Sequence, residues 1–373
     1  MTRLRIAVMT VVHHPLDTRI LVRQISALID AGHDVTYAAP FSAFDVDIPP
    51  GVRGIDLPRS AGRRRLAAMR AARRVFRELT DRNDLFILHD PELVVAMTGV
   101  RHAAVVWDVH EDTAAAVGYK DWIPAGLDRA AASGVRLMER WAESRHDLLL
   151  AETGYSSRFR RPHPVVPNST LIDHGAPPPG RGRAVCVSTL TRARGALDLI
   201  EVGRLLRPHG IVLDVIGPAA PEVREQLSSA DLTGDIRWHG RLAHADTLDR
   251  VRGATCGLSL LHDERNYRHS HPTKVFEYLA HGVPVVATRL PLVAELLDAH
   301  QAGITVPFCD PAAAAAAVLA LHEDDDLRTA MGRNGIAAVR AEHNWEHDSP
   351  TFVAAIEAVA RAGSHGSPSS HRR

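Results

Sequence analysis

From Ile6 to Val306 the chain alternates short, β-rich apolar runs with amphipathic segments of helix length, and that alternation most constrains its fold. Parallel strands joined by crossover helices produce this pattern, because each strand is covered on both faces and each helix buries one stripe. The expected class is α/β. In the first half, Ile6–Val12, Asp34–Ala39, Leu85–Leu88, Ala104–Trp107 and Leu148–Ala151 read as strands, with helices near Arg19–Ala31, Leu66–Leu79, Glu92–Arg101 and Leu127–Ser144. These predict one doubly wound unit. Stretches 161–168 and 174–182, rich in Pro and Gly, then stop regular structure and mark a domain boundary. The alternation resumes with Ala184–Thr189, Leu197–Leu206, Val212–Ile216, Ile236–His239, Gly257–Leu261, Val283–Ala287 and Gly303–Val306, a second doubly wound unit. The expected domains are 1–168 and 169–348, with the amphipathic segment Ser349–Ala362 crossing back onto the first. The tail 363–373, rich in Ser, Gly and His, is expected to be disordered.

At 373 residues the chain exceeds what one core comfortably serves, and 45% apolar with 24% charged residues is an ordinary globular composition. Forty-four basic residues balance forty-four acidic ones, which excludes a general field drawing the protein onto nucleic acid. Cys186, Cys256 and Cys309 are isolated, without the paired spacing of a zinc clamp or a disulfide framework, and suit a reducing compartment. The apolar run after Met1 is short and meets His13-His14-Pro15 where a leader would have small residues, so a buried first strand is expected. The expected location is cytoplasmic, in solution or peripheral to the membrane. Arg63, Arg64, Arg65, Arg70, Arg73, Arg74 and Arg77 make a basic helix that also carries Leu66, Met69, Val75 and Phe76. It reads first as a solvated face and second as a contact for anionic lipid.

The densest local signal is Pro272-Thr273-Lys274-Val275-Phe276-Glu277-Tyr278, followed by Gly282 and an apolar run. Pro272 suits the first turn of a helix and Gly282 the position past its end. The helix N-terminus near Thr273 offers N–H groups to a diphosphate, and Lys274 adds charge. Glu277, one turn in, can accept hydrogen bonds from ribose hydroxyls.

With this segment the chain resembles the retaining glycosyltransferases of family 4, in the branch whose donor helix reads Pro-Thr-Lys-x-x-Glu-Tyr. Val12-His13-His14-Pro15-Leu16-Asp17-Thr18-Arg19-Ile20, Ala31-Gly32-His33-Asp34-Val35, His89-Asp90-Pro91-Glu92-Leu93, Trp107-Asp108-Val109-His110-Glu111-Asp112, Val166-Pro167-Asn168 and Ser188-Thr189-Leu190-Thr191-Arg192-Ala193-Arg194-Gly195 are similar to other parts of that family, in order. The resemblance implies the GT-B fold: two doubly wound, Rossmann-like parallel-sheet domains facing across a cleft, the first on the acceptor side and the second binding a nucleotide sugar. It implies that Arg192 and Arg194 stabilise a departing diphosphate in place of a metal, and that His110 lies beside the transferred sugar. The donor set it implies is Pro272, Thr273, Lys274 and Glu277 with Ser270, His271, Gly217 and Gly240; His14, Asp17 and Arg19 are the acceptor-side candidates. Arg194 stands where the more widespread pattern has Lys. His269 stands where many relatives carry Glu, leaving Ser270 or His271 to take over its contacts.

The expected activity is therefore transfer of a hexose-type sugar from a uridine or guanosine diphosphate donor to a hydroxyl of a saccharide, lipid-linked or natural-product acceptor. Neither cofactor nor metal is expected. Double displacement needs two carboxyl groups about 5 Å apart, and no local motif announces such a pair, which favours the front-face mechanism that the resemblance implies, with the leaving phosphate as base. His89-Asp90-Pro91-Glu92 has the composition of a metal site, but its side chains radiate around a strand-to-helix turn, so a structural capping role is preferred. The alternatives are a GT-B-fold sugar-nucleotide epimerase and a catalytically inactive nucleotide-sugar-binding partner subunit.

Overall fold

The computed structural model describes residues 3–100, 104–110, 128–264, 267–268 and 271–365. The chain divides into two compact units, Met1–Asn168 with His347–Arg373 and Ser169–Glu346. In the first, strands β1 (Arg5–Met9), β2 (Asp34–Ala39), β3 (Arg53–Asp56), β4 (Leu85–Leu88), β5 (Ala104–Val109) and β6 (Asp147–Leu150) form a parallel sheet in the order β3-β2-β1-β4-β5-β6. In the second, β7 (Arg183–Val187), β8 (Val212–Ile216), β9 (Arg237–Trp238), β10 (Cys256–Ser259), β11 (Val285–Thr288) and β12 (Gly303–Val306) repeat it as β12-β11-β10-β7-β8-β9. Each order reverses once, between β1 and β4 and between β7 and β10, and ligands of such sheets bind at the carboxyl ends beside that switch.

Both faces of the second sheet are covered. Ala184 and Cys186 of β7 enter one apolar cluster, and Val185, between them, enters another on the opposite face. Two-sided burial is why these strands are continuous apolar runs. The edge strand β3, Arg-Gly-Ile-Asp, lacks such a run and escapes the sequence pattern. Leu197–Leu206, which stands among the strand-rich runs of the sequence, lies in a helix, Ala196–Leu206. The first strand stops at Met9 because Thr10 to Val12 leave the sheet for side-chain partners described below. The crossing helix runs from Trp345 to His365, so Gly363 to His365, expected in a disordered tail, are helical, while 366–373 lie outside the described residues. Its Glu357 meets His33 of the first unit at 3.3 Å.

Tyr278 locks the second unit together. It sits on the helix Thr273–Ala280, and its ring occupies the space over Gly257 of β10, where a Cβ would come within 2.2 Å. Its hydroxyl accepts a 2.7 Å hydrogen bond from the Val187 N–H at the end of β7. Tyr278→Phe keeps the packing and orphans that N–H, so it should cost about 1–3 kcal/mol. Urea unfolding with an unchanged slope and a lower midpoint is the expected readout; an unchanged midpoint would show the hydroxyl to be dispensable.

Candidate functional site

The carboxyl end of the first sheet is organised by Asp108, a fully buried carboxylate near the end of β5. Arg19 grips it with two hydrogen bonds, Nε to Oδ2 at 2.8 Å and Nη2 to Oδ1 at 2.7 Å, and Gln24 Nε2 adds a third at 2.9 Å. Arg19 and Gln24 are five residues apart, which in an α-helix would set them about 140° apart around the axis. The segment Thr18–Ile25 is wound as a π-helix, whose longer turn brings both side chains to one carboxylate. Burial alone would raise the Asp108 pKa; the charge and hydrogen bonds of Arg19, with His110 and His89, hold it well below the usual range.

Histidines gather around this carboxylate. His89 Nδ1 lies 3.2 Å from Asp108 Oδ2, and burial keeps that imidazole neutral by lowering its pKa. His110, just after β5, sets Nδ1 3.1 Å from the Asp108 carbonyl and Nε2 3.1 Å from His13 Nε2, so one of the facing nitrogens carries the hydrogen. His13 Nε2 is also 3.2 Å from Asp90. Asp90 precedes the helix Pro91–Ala96 without capping it through its side chain: its carboxylate instead accepts from Thr10 Oγ1 and from the backbone N–H groups of Val11 and Val12. The expected capping role is thus a clamp on the loop after β1.

Asp17 is the helix cap, its carboxylate accepting from the N–H groups of Arg19 and Ile20. Burial would raise its pKa, and the nearby His13, His110 and His89 help bring it below the usual value. Arg19, an acceptor-side candidate from the sequence, is 5% exposed and also donates to Asn168 and to the Val166 carbonyl; it acts as an internal strut. His14 packs on Phe44 and accepts from the Leu16 N–H. The sequence pattern carried Asp108 only as part of a motif; a lone Asp inside an apolar strand, Ala-Val-Val-Trp-Asp-Val, was the signal for its burial.

In the second unit the turn Arg192–Arg194 follows β7 and is capped by Thr191, whose hydroxyl accepts from the Arg194 N–H. Gly195 closes it at φ 73°, and a Cβ there would lie 2.1 Å from the Leu260 carbonyl oxygen, so only glycine fits. Arg192 points to solvent, while Arg194 is half-buried with its guanidinium 5.9 Å from the Tyr267 ring centre. Gly217, at φ 132° past β8, lets its backbone approach Ser188 so closely that a Cβ would be 1.8 Å from that carbonyl oxygen; its N–H donates to Gly240.

Lys274 and Tyr278 are four residues apart and share one face of the helix Thr273–Ala280. Pro272 caps this helix from one position outside it, and Gly282 follows its end at φ 69°. Lys274 is buried and its Nζ has no hydrogen-bond partner among the described residues. Burial lowers its pKa, with Cys186 opposing and the Arg194 charge adding to the effect. Glu277 is buried on the next face, its backbone carbonyl accepting from His281. His271 packs against Phe276 and His343, and burial together with His343 lowers its pKa to about 4, so its ring is neutral near pH 7. Ser270 and His269 lie outside the described residues.

Two outcomes follow. Asp108→Asn removes the charge facing buried Arg19 and should cost about 3–5 kcal/mol in urea unfolding. Because the folded Asp108 pKa is depressed, its stabilisation is fully present above the unfolded value near 3.8 and is lost only as pH falls through the lower folded value. His271 acts in a higher window: the unfolded chain takes up its proton near 6.5 and the folded one only near 4, so stability drops as pH falls between them. From about pH 7 to about pH 5 the His271 share of that loss is about 2 kcal/mol, and His271→Asn should remove it. Equal losses in both proteins would place the ring in solvent.

Comparison with known proteins gives this arrangement relatives. The glycosyl transferase-like family matches residues 200–354. Phosphatidyl-myo-inositol mannosyltransferase of Mycolicibacterium smegmatis is 30% identical over 144 residues, 38% of this chain and 35% of that protein. The match thus spans about a third of the relative's length. Among solved structures, sucrose-phosphate synthase from Thermosynechococcus elongatus superimposes with a TM-score of 0.72 at 16% identity, covering 96% of this chain and 100% of the other. The Anabaena protein HepE, in complex with UDP and glucose, gives 0.67 at 12% identity over 95% and 100%. WaaG, a glycosyltransferase involved in lipopolysaccharide biosynthesis, gives 0.67 at 15% over 94% and 99%. Residues 200–354 therefore match the glycosyl transferase-like family, and the chain has the two-domain, Rossmann-like fold of the GT-B glycosyltransferases.

Proposed function

We propose that this protein is a glycosyltransferase that takes a sugar from a nucleoside diphosphate donor, UDP-linked in the first instance, and delivers it to an acceptor hydroxyl. The observation that carries the reading is Lys274: a buried amine with no hydrogen-bond partner among the described residues, beside Arg194 and one residue into a helix of eight. An uncompensated buried cation is costly in the free protein, and a diphosphate seated there offsets that cost. The glycosyl transferase-like match over 200–354 covers the same helix, and the HepE structure holds UDP in a chain of the same fold.

The chemistry follows from charge. Breaking a glycosyl–phosphate bond moves negative charge onto phosphate oxygens, and fixed cations stabilise it most where water is scarce. Arg194 and Lys274 take that role, helped by the N–H groups at the helix start. Glu277 is read as the ribose acceptor, and the open space beside the Gly240 backbone as room for the nucleotide, with Gly217 packed against Ser188 behind it. On the first unit, His110 is the group assigned to the transferred sugar, held in orientation by Asp108 and His13. Retention by front-face attack, with the departing phosphate as base, completes the proposal. Saccharide, lipid-linked and natural-product hydroxyls all fit it as acceptors. For a lipid-linked acceptor the exposed Arg63, Arg64, Arg70, Arg74 and Arg77 beside exposed Leu66 supply a surface for anionic headgroups.

Incubation with a panel of UDP- and GDP-sugars, following diphosphate release, tests the activity: slow donor hydrolysis supports transfer, whereas sugar interconversion without release would assign an epimerase. Arg194→Ala should lower turnover by about 10²–10³-fold, with a much smaller effect on donor affinity. Wild-type turnover in that variant would remove the phosphate role.

A further inference from the structure

We propose that Asp198, His262 and Cys309 form a binding site on the second unit for a borderline-soft divalent ion of the Zn²⁺ class, separate from the groups assigned to the donor. Asp198 lies in the first turn of the helix Ala196–Leu206, His262 follows β10, and Cys309 lies between β12 and the helix Pro311–Glu323. One ligand atom from each lies within 4.8 Å of the others, and His262 Nε2 is already 2.8 Å from Asp198 Oδ2. Carboxylate, imidazole and thiolate are the three donor types that zinc takes, and three protein ligands leave a tetrahedral position for water. In sequence the three are 64 and 47 residues apart, from 198 to 262 and from 262 to 309, so no spacing pattern announces them.

The geometry is held from the backbone. The His262 N–H donates to the Ala193 carbonyl at 2.9 Å, and Asp310, beside Cys309, caps the next helix through the Ala313 N–H. Cys309 is exposed and adopts φ 53°, a left-handed conformation that disfavours a non-glycine residue. The other candidate cluster, His89, Asp108 and His110, is a poorer cation site, because the Arg19 guanidinium already occupies its carboxylate.

His262 is bonded to Ala193, between Arg192 and Arg194, so an ion at this site braces the turn assigned to the donor phosphates. That coupling rests on the nucleotide-sugar reading; the metal site does not. Titration of the full chain with Co²⁺ should give a thiolate-to-metal charge-transfer band that saturates at one equivalent and is displaced by Zn²⁺. The signal is specific, since Cys186 and Cys256, the other two cysteines, are buried in the core. Cys309→Gly, which suits the left-handed backbone, should stay folded by circular dichroism and lose the band. His262→Ala and Asp198→Asn should each weaken Co²⁺ binding by more than about tenfold. No thiolate band in the wild type, or a band whose affinity neither variant changes, overturns the site. UDP affinity measured with and without Zn²⁺ reads the coupling separately: absent UDP binding would count against the nucleotide-sugar reading while the cobalt band stood.

Discussion

The buried carboxylate of Asp108 is the constraint around which the first unit is arranged. Removing a charge of this kind from water costs several kcal/mol, and only close, well-directed partners offset it. Arg19 and Gln24 supply three hydrogen bonds to Asp108, and a π-wound segment brings them to the same oxygens. The local departure from α-helical geometry is thus explained by an interaction some ninety residues away in sequence. Arg19 in turn reaches Asn168 and the Val166 carbonyl, so the same guanidinium fixes the segment where the first unit ends.

The second unit uses the same sheet order and reaches the opposite electrostatic result. Its carboxyl end gathers Arg194 and buried Lys274 where the first unit gathers Asp108, Asp90 and neutral His89. One topology thus carries two contrasting sets of side chains, because a fold does not dictate the chemistry grafted onto it. The contrast depends on rigid supports. Tyr278 over Gly257 fixes the helix that carries Lys274, and Gly195 lets the Arg194 turn pass close to Leu260. These glycines are contact points between elements, not flexible joints.

Much of this architecture was legible in the sequence. Asp34–Ala39, Leu85–Leu88, Val212–Ile216 and Gly303–Val306 read as strands to the residue, each carrying at least two apolar residues of strand-forming type. Edge strand β3, Arg-Gly-Ile-Asp, was not, because its charged ends and glycine leave a single apolar residue to mark it. The helix Thr273–Ala280 was readable because Pro272 and Gly282 punctuate it. What escaped was whatever depends on distant pairing: the Asp108 hub, the service of Asp90 to the loop after β1, and the burial of Arg19. Composition likewise could not separate exposed Arg192 from half-buried Arg194, which differ only in how one turn is capped.

The two centres also differ in how the cost of burial is met. Asp108 is compensated from within the chain, by Arg19 on one side and by Gln24 and the histidines on others, so nothing from outside is needed to keep it ionised. Lys274 is not compensated in this way: its helix is anchored by Tyr278, the Arg194 charge disfavours its protonation, and its Nζ has no acceptor among the described residues. A fold that holds such a group buried sets aside part of its stability, and an anion that binds there returns it through mass action.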